Sequence, residues 1–265
     1  MKNEINISID QAKCNKDGIC VKVCPCNIFY TDEFGLAKVN QKNAPICINC
    51  GHCIAACPTS AISLNNITGD DLAKVPEQQP DFEKFSALVK ARRSIRNFKP
   101  EPVALEDLKK LLDLSRWAPT AKNVQALCWV IVNGRDKVLE LAAEVINTHR
   151  DNEQMSAMVA AFDSGEDIIH RGASSLLVAY AHQKNKWASM DAAIAANTIE
   201  LAAKASGLGS CWGGFTTFAA SQNEKIGKLL EIPEDHCVVA VLMVGKPVYK
   251  YNKIPPRNEL KLTVI

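Results

Sequence analysis

The 265-residue chain reads as an α+β protein of two domains, a small cysteine-rich one followed by a larger one in which helices alternate with a few strands. Three observations carry this reading. Eight of the eleven cysteines crowd between Cys14 and Cys57. Residues Asn65 to Pro80 combine Asn, Gly, Asp and Gln with two prolines and little apolar periodicity, which is a linker composition. From Asp81 onward, apolar residues fall at helical spacing between runs that read as buried strands.

Composition narrows the function classes. At 47% hydrophobic and 23% charged, the chain can bury an ordinary globular core. A net charge of +2 without a dense Lys/Arg block gives no sign of a nucleic-acid partner. No apolar run approaches the ~20 residues that span a bilayer, and Met1-Lys2-Asn3-Glu4 lacks the apolar core of a signal peptide. The expectation is a cytoplasmic protein with no membrane partner, whose crowded thiols ligate metal in a reducing compartment.

Taken in order, the first element is the cysteine segment. Cys47-Ile48-Asn49-Cys50-Gly51-His52-Cys53-Ile54-Ala55-Ala56-Cys57-Pro58 reads C-x2-C-x2-C-x3-C-P, a spacing that holds iron–sulfur clusters rather than the paired C-x2-C units of zinc sites. Cys14 to Pro25 repeats it 33 positions earlier, with Cys14, Cys20 and Cys24-Pro25 matching Cys47, Cys53 and Cys57-Pro58. Asp17 stands where the second half has Cys50. Over residues 1–66 this resembles the two-cluster bacterial ferredoxin fold. The resemblance implies one 4Fe–4S cluster on Cys47, Cys50, Cys53 and Cys24, and a second on Cys14, Cys20 and Cys57. A carboxylate is a harder iron ligand than a thiolate, which leaves three readings of Asp17: fourth ligand of a 4Fe–4S cluster, neighbour of a 3Fe–4S cluster with an empty corner, or a loop residue beside Gly18. Cys26 fits neither half and reads as a free buried thiol.

A linker is expected over 67–81 and the larger domain over 82–265. Behind Asp81, a plausible N-cap, Phe82, Phe85, Leu88 and Val89 mark a helix. A second is expected from Leu105 to Arg116, ahead of Pro119. Leu127–Val132, Ser175–Ala181 and Cys237–Val244 read as buried strands, with Cys128 and Cys237 as core thiols. Asp191 to Ser206 is an Ala-rich helix with Gly207 at C′. His149, His170, His182 and His236 show no metal spacing, and 163–172 reads as a segment over a pocket.

Two polar clusters flank these helices. Arg92-Arg93-Ser94-Ile95-Arg96 offers forked guanidinium donors suited to a phosphate. Pro119-Thr120-Ala121-Lys122-Asn123-Val124-Gln125 offers amides that can read the edge of a heterocycle. With Gly207-Leu208-Gly209-Ser210-Cys211-Trp212-Gly213-Gly214 and Pro255-Pro256-Arg257, they occur in the order of the FMN-dependent nitroreductase family. Residues 82–265 thus resemble that family, whose domain is a nitroreductase-like α/β sandwich.

The resemblance implies FMN, with Arg92, Ser94 and Arg257 on its phosphate and Arg93 beside them. Arg96 would lie near the ribityl chain and pyrimidine ring, and Pro119, Thr120, Asn123 and Gln125 at the cofactor across a dimer interface. Gly209, Ser210, Cys211, Trp212 and Gly213 would pass against the isoalloxazine, their glycines allowing close approach. Trp212 either flanks the flavin or simply packs, and Cys211 is not read as a nucleophile. A homodimer follows, with the Ala-rich helix as its core and the tail after Pro247 around the partner. No protein acid or base is nominated. The expected activity is an iron–sulfur flavoprotein oxidoreductase passing electrons through two clusters to FMN and on to a nitroaromatic, quinone or similar flat acceptor. The donor is a reduced ferredoxin or, in an alternative reading, NAD(P)H with the clusters as a side branch. A specialised reductive enzyme and a pure electron-transfer module are the other readings of the scaffold.

Overall fold

The computed structural model describes residues 5–265 and divides into two units. The first comprises residues up to Gln79 together with Lys122–Val124, and the second comprises Pro80–Ala121 and Gln125–Ile265.

The first unit contains β1 (Ile7–Ile9), α1 (Ile19–Val23), β2 (Phe29–Thr31), β3 (Ala37–Val39), α2 (His52–Ala56) and β4 (Ile62–Leu64). Strands β1 and β4 pair antiparallel, as do β2 and β3. The sequence repeat is also a backbone repeat. Lys16 and Asn49, Gly18 and Gly51, and Asn27 and Ser60 form matched pairs with positive φ, and α1 lies 33 positions before α2. Gly18 and Gly51 are the left-handed N-caps of the two helices, a conformation glycine adopts without steric cost. The core between the halves is Ile28, Phe29, Ala37, Ile54, Ile62 and Leu64, with the cysteines packed against it.

The second unit contains α3 (Phe82–Ala91), α4 (Leu105–Ser115), β5 (Cys128–Asn133), α5 (Arg135–His149), α6 (Ser156–Asp163), β6 (Ser175–His182), α7 (Ala188–Ala205), β7 (Gly209–Trp212), α8 (Gly214–Ala220), α9 (Glu224–Leu229) and β8 (His236–Gly245). Its antiparallel sheet runs β5-β6-β8-β7. Successive side chains of the two central strands go to opposite faces. Leu176, Val178, Val241 and Met243 pack in one core with Val138, Leu141 and Ile146 of α5. Leu177, Leu242 and Val244 pack in the other with Leu108 and Leu111 of α4 and Ala196 and Ile199 of α7. Period-2 strands buried on both faces explain why these runs read as continuous apolar sequence. The result is an α/β sandwich.

Helix α3 has the Asp81 cap, whose carboxylate accepts from Lys84 N at 2.8 Å. Helix α7 ends in a Schellman arrangement: Leu208 N donates to Ala203 O, Gly207 N to Lys204 O, and Gly207 has φ 75°. Other expectations differ. Cys128 and Cys237 are exposed rather than core thiols, because they lie at the open ends of β5 and β8. Strand β7 was not expected as a strand: it has four residues, begins with glycine and lies at the sheet edge. Helix α5 was not among the expected elements either, although Val138, Leu141, Ala142, Val145 and Ile146 give it a helical period.

The stretch after α3 runs along β7. Ile95 N donates to Ser210 O at 2.9 Å, Ser94 forms a parallel bridge with Ser210, and Lys99 N donates to Lys246 O at 2.8 Å. A Cβ on Gly209 would stand 2.8 Å from Ile95, and one on Gly245 would stand 2.7 Å from Phe98. Gly209→Ala should therefore destabilise the unit by about 1–3 kcal/mol through overpacking. Gly214→Ala, where no atom lies within 4 Å, should be near neutral. Urea unfolding of both variants checks this, and equal midpoints would contradict it.

Candidate functional site

Two small cavities lie between the halves of the first unit. Cys24, Cys26, Cys47, Cys50 and Cys53 line one, and Cys14, Asp17, Cys20 and Cys57 line the other. The crossing of Cys24 and Cys57 into opposite cavities follows from the backbone repeat, since each leaves its helix extended (φ −83°, ψ 110° and φ −79°, ψ 113°). Each crossing sulfur accepts a backbone N–H at 3.3 Å, from Ile28 and Ala61 respectively. Burial, reinforced by the negative charges of neighbouring cysteines, pushes the Cys53 thiol up to about 11 and raises Cys47 as well. Burial likewise raises Cys20, with Asp17 adding to the effect. Crowded thiols of this kind release their protons to a bound cation. Among the described residues, no group of three or more His, Cys, Asp or Glu is placed to hold a single metal ion. In a four-iron cluster each thiolate meets a different iron, so a single-ion geometry is not required of them. Asp17 lines the second cavity while its Oδ1 accepts from Ile19 N at 2.9 Å. Cys26 is half-buried rather than fully buried.

In the second unit the sequence-predicted residues fall into two groups. Arg92, Arg93 and Ser210 line a cavity of about 340 Å³ together with Lys99 and Lys204. Arg96, Cys211, Trp212 and Gly213 line one of about 520 Å³ together with Gly214 and Phe218. In the first cavity, Arg92 Nη1 lies 3.1 Å from Oε1 of Glu200, whose other oxygen accepts from Trp212 Nε1 at 3.3 Å. Arg92 is therefore tied to a buried carboxylate, and Trp212 is held by its indole N–H. Arg93 Nη2 donates to Lys90 O. Its affinity for its proton is lowered, first by desolvation and then by the positive charges of Arg257 and Arg92. Mutual repulsion among these guanidinium groups is what a phosphate would relieve.

Burial outweighs the nearby Arg96 charge and raises the Cys211 thiol, keeping it protonated. Gly213 has the same kind of internal reason as Gly209, since a Cβ there would stand 2.8 Å from Val241. These two glycines thus have a packing reason of their own, independent of any approach to a flavin. A Cβ on Gly214 would meet no atom within 4 Å, and Gly214 lines the larger cavity.

Pro119, Thr120, Asn123 and Gln125 line neither cavity. Pro119 is exposed, and Thr120 Oγ1 accepts from Gln125 N at 3.0 Å. Ala121 N donates to buried Asp191 at 2.9 Å. Asn123, grouped with the first unit, donates to the carbonyls of Ile48 and Asn49 at 3.2 and 3.0 Å. Lys122, Asn123 and Gln125 all have positive φ. Arg257 lies in an exposed tail without regular structure.

Glu200 was missed at the sequence level, although a signal exists. It stands four residues beyond Ala196 on the buried stripe of α7, where a carboxylate must find a partner. His149, 3% exposed and stacked 6.1 Å from Phe218, also lines the larger cavity. The segment 163–172 is tied down at its end. Asp167 accepts from Arg135 and from the backbone of His170 and Gly172, and His170 is fully buried.

Comparisons with known proteins identify the family of each unit. The model of the Nitroreductase family matches residues 89–246, more than half of the chain. The chain belongs to the nitroreductase family. The model of the 4Fe-4S dicluster domain matches residues 6–58, so this nitroreductase carries a fused iron–sulfur domain. A protein of Archaeoglobus fulgidus that bears the name NADH dehydrogenase/NAD(P)H nitroreductase is 29% identical over 63% of this chain and 87% of its own length. The Bacillus subtilis protein named NAD(P)H nitroreductase YodC is 29% identical over 63% of this chain and 93% of its own. The crystal structure of an FMN-bound nitroreductase from Desulfitobacterium hafniense shares the fold at TM-score 0.59 and 24% identity, covering 68% of this chain and 97% of that one. The FMN-bound nitroreductase of Bacteroides fragilis does so at TM-score 0.58 and 23% identity, with the same coverage. This chain is an FMN-dependent oxidoreductase with an iron–sulfur electron-transfer domain. Among the described residues no helix is long and apolar enough to cross a membrane.

Beneath the Gly213–Gly214 turn, His170 Nδ1 donates to Val138 O at 3.2 Å and Nε2 accepts from Thr216 Oγ1 at 2.8 Å. Burial pulls this imidazole down to about 4. Its folded value lies below its unfolded one, so its contribution to stability is complete above about pH 6.5 and is lost as pH falls toward about 4. At about pH 5.5 His170 should remain the neutral Nδ1–H tautomer. Histidine ¹H–¹⁵N spectra check this, and a protonated ring at that pH would contradict the bonding described.

Proposed function

We propose that this nitroreductase takes single electrons at its two clusters and delivers them from FMN to a flat nitroaromatic, quinone or similar acceptor. The observation that carries the reading is the presence, in one chain, of two cysteine-lined cavities and a nitroreductase-family domain. FMN, when bound, supplies the redox chemistry, since it can exchange one electron with a cluster and two with an acceptor. The protein residues bind and orient. Cys47, Cys50, Cys53 and Cys24 would hold the first cluster, and Cys14, Cys20, Cys57 and Asp17 the second; their shared cavities support this. Arg93, Arg92 and Arg257, with Ser94, would hold the FMN phosphate. Arg96 and the Gly209–Gly213 backbone would face the flavin, with Thr120, Asn123 and Gln125 completing the site from a second chain.

A homodimer is supported by apolar surface left uncovered. On α3, Phe82 is 78% exposed, with Phe85 and Val89 beside it in the same state, and Trp117 after α4 is 73% exposed. Met190 and Ile194 of α7 are also exposed. We assign 1–66 to the cluster domain, 67–81 to a linker and 82–265 to the flavin domain; 71–81 is exposed throughout.

The preferred donor is a reduced ferredoxin or a similar low-potential carrier. The names of the two curated relatives favour a second reading, NAD(P)H acting at the flavin, with the clusters as a branch. A short match in the cluster segment, 44% identical over 50 residues and 24% of the partner protein's length, is to the thiosulfate reductase electron transfer subunit PhsB of Salmonella typhi, which supports the relay.

Anaerobic counting of iron, sulfide and FMN, with EPR, tests the cofactor set. About eight irons per chain with FMN and no oxidised 3Fe–4S signal are expected. About seven irons with that signal would remove Asp17 from the ligand set, and iron without FMN would overturn the proposal.

A further inference from the structure

The first cluster cavity holds one thiol more than its cluster needs. Cys26 lines it beside Cys24, Cys47, Cys50 and Cys53, whereas the second cavity has three thiols and Asp17. Cys26 lies two residues beyond Cys24, across Pro25, whose ring fixes the intervening φ. The internal repeat shows what a side chain can reach from that place. Its counterpart is Thr59 in Cys57-Pro58-Thr59, and Thr59 Oγ1 lies 3.6 Å from Cys57 Sγ. The backbones at Cys24 and Cys57 match within a few degrees, and both sulfurs accept the N–H four residues on. Where the second half presents a hydroxyl to the crossing ligand, the first half presents a soft sulfur suited to iron.

We propose that Cys26 is an alternative ligand of the first cluster, able to take the iron that Cys24 holds. The inference rests on the ligand assignment proposed above. In the exchange, the Cys26 S–H bond breaks and an iron–sulfur bond to Cys26 forms. The iron–sulfur bond to Cys24 breaks, and the proton from Cys26 ends on the Cys24 thiolate. No electron moves and the iron keeps its oxidation state. The second cluster, with Thr59 at the equivalent place, has no such reserve.

The test uses the anaerobically purified full chain, with iron and sulfide content and the EPR of the reduced clusters as readouts. Cys24→Ala should keep the wild-type iron content with a changed EPR line shape. Cys24→Ala with Cys26→Ser should lose about four irons, and Cys26→Ser alone should lose none. Cys57→Ala should lose the second cluster, and adding Thr59→Cys should restore it. Cys24→Ala losing as much iron as the double variant would overturn the proposal. So would a double variant that keeps its iron, or a Thr59→Cys that restores nothing. FMN content in each variant reports whether the flavin unit has folded; if Cys24→Ala does not fold, the Thr59→Cys rescue decides. A wild-type protein without clusters would refute the ligand assignment instead.

Discussion

The flavin unit depends on how closely the Ile95–Phe98 stretch approaches the edge of the sheet. Its backbone bonds to β7 and to the segment after β8, and its Ile95 and Phe98 side chains occupy the space that Cβ atoms at Gly209 and Gly245 would fill. Along that stretch, Arg92 and Arg93 line one cavity and Arg96 lines the other. One short stretch therefore supplies cations to both cavities. Glu200, itself bonded by the Trp212 indole, then fixes Arg92 at the wall of the smaller cavity. An ion pair this buried contributes little to stability beyond satisfying its own desolvation. Its consequence is positional.

The cysteine unit obeys a different constraint. Its elements are three to five residues long, and its few apolar side chains fill only the space between two cavities. Small cores of this size commonly rely on metal for stability. Left-handed turns before each short helix bring Cys47, Cys50 and Cys53 to one cavity and Cys14, Asp17 and Cys20 to the other, and the extended residue after each helix sends Cys24 and Cys57 across. Symmetry makes the deviations informative. Asp17, matched by Cys50, and Cys26, matched by Thr59, are two of the places where the halves differ, and both line a cavity.

Much of this was legible in the sequence. Strands β6 and β8 were readable because burial on both faces leaves continuous apolar runs, and the end of α7 because Gly207 takes the left-handed position. The cysteine repeat was readable from spacing, and the folded chain lines two cavities with it. Other features were hidden for physical reasons. Strand β7 is too short for a period to show. The Arg92–Glu200 pair joins residues 108 positions apart, and no local pattern signals such a partner. Gly209 and Gly213 suggested an approach to a ligand, yet the atoms they make room for belong to Ile95 and Val241. Cys26 fits no spacing rule, and only the folded repeat shows which side chains surround it.

The central claim is that electrons reach the flavin through the clusters. The most direct measurement is anaerobic rapid mixing of FMN-loaded protein with a reduced ferredoxin, comparing the wild type with a Cys50→Ala, Cys53→Ala variant that lacks the first cluster. The account predicts rapid flavin bleaching in the wild type. In the variant, bleaching by ferredoxin should collapse to background while bleaching by dithionite persists. Equal bleaching of both proteins by ferredoxin, or wild-type bleaching that is faster with NADH, would contradict it.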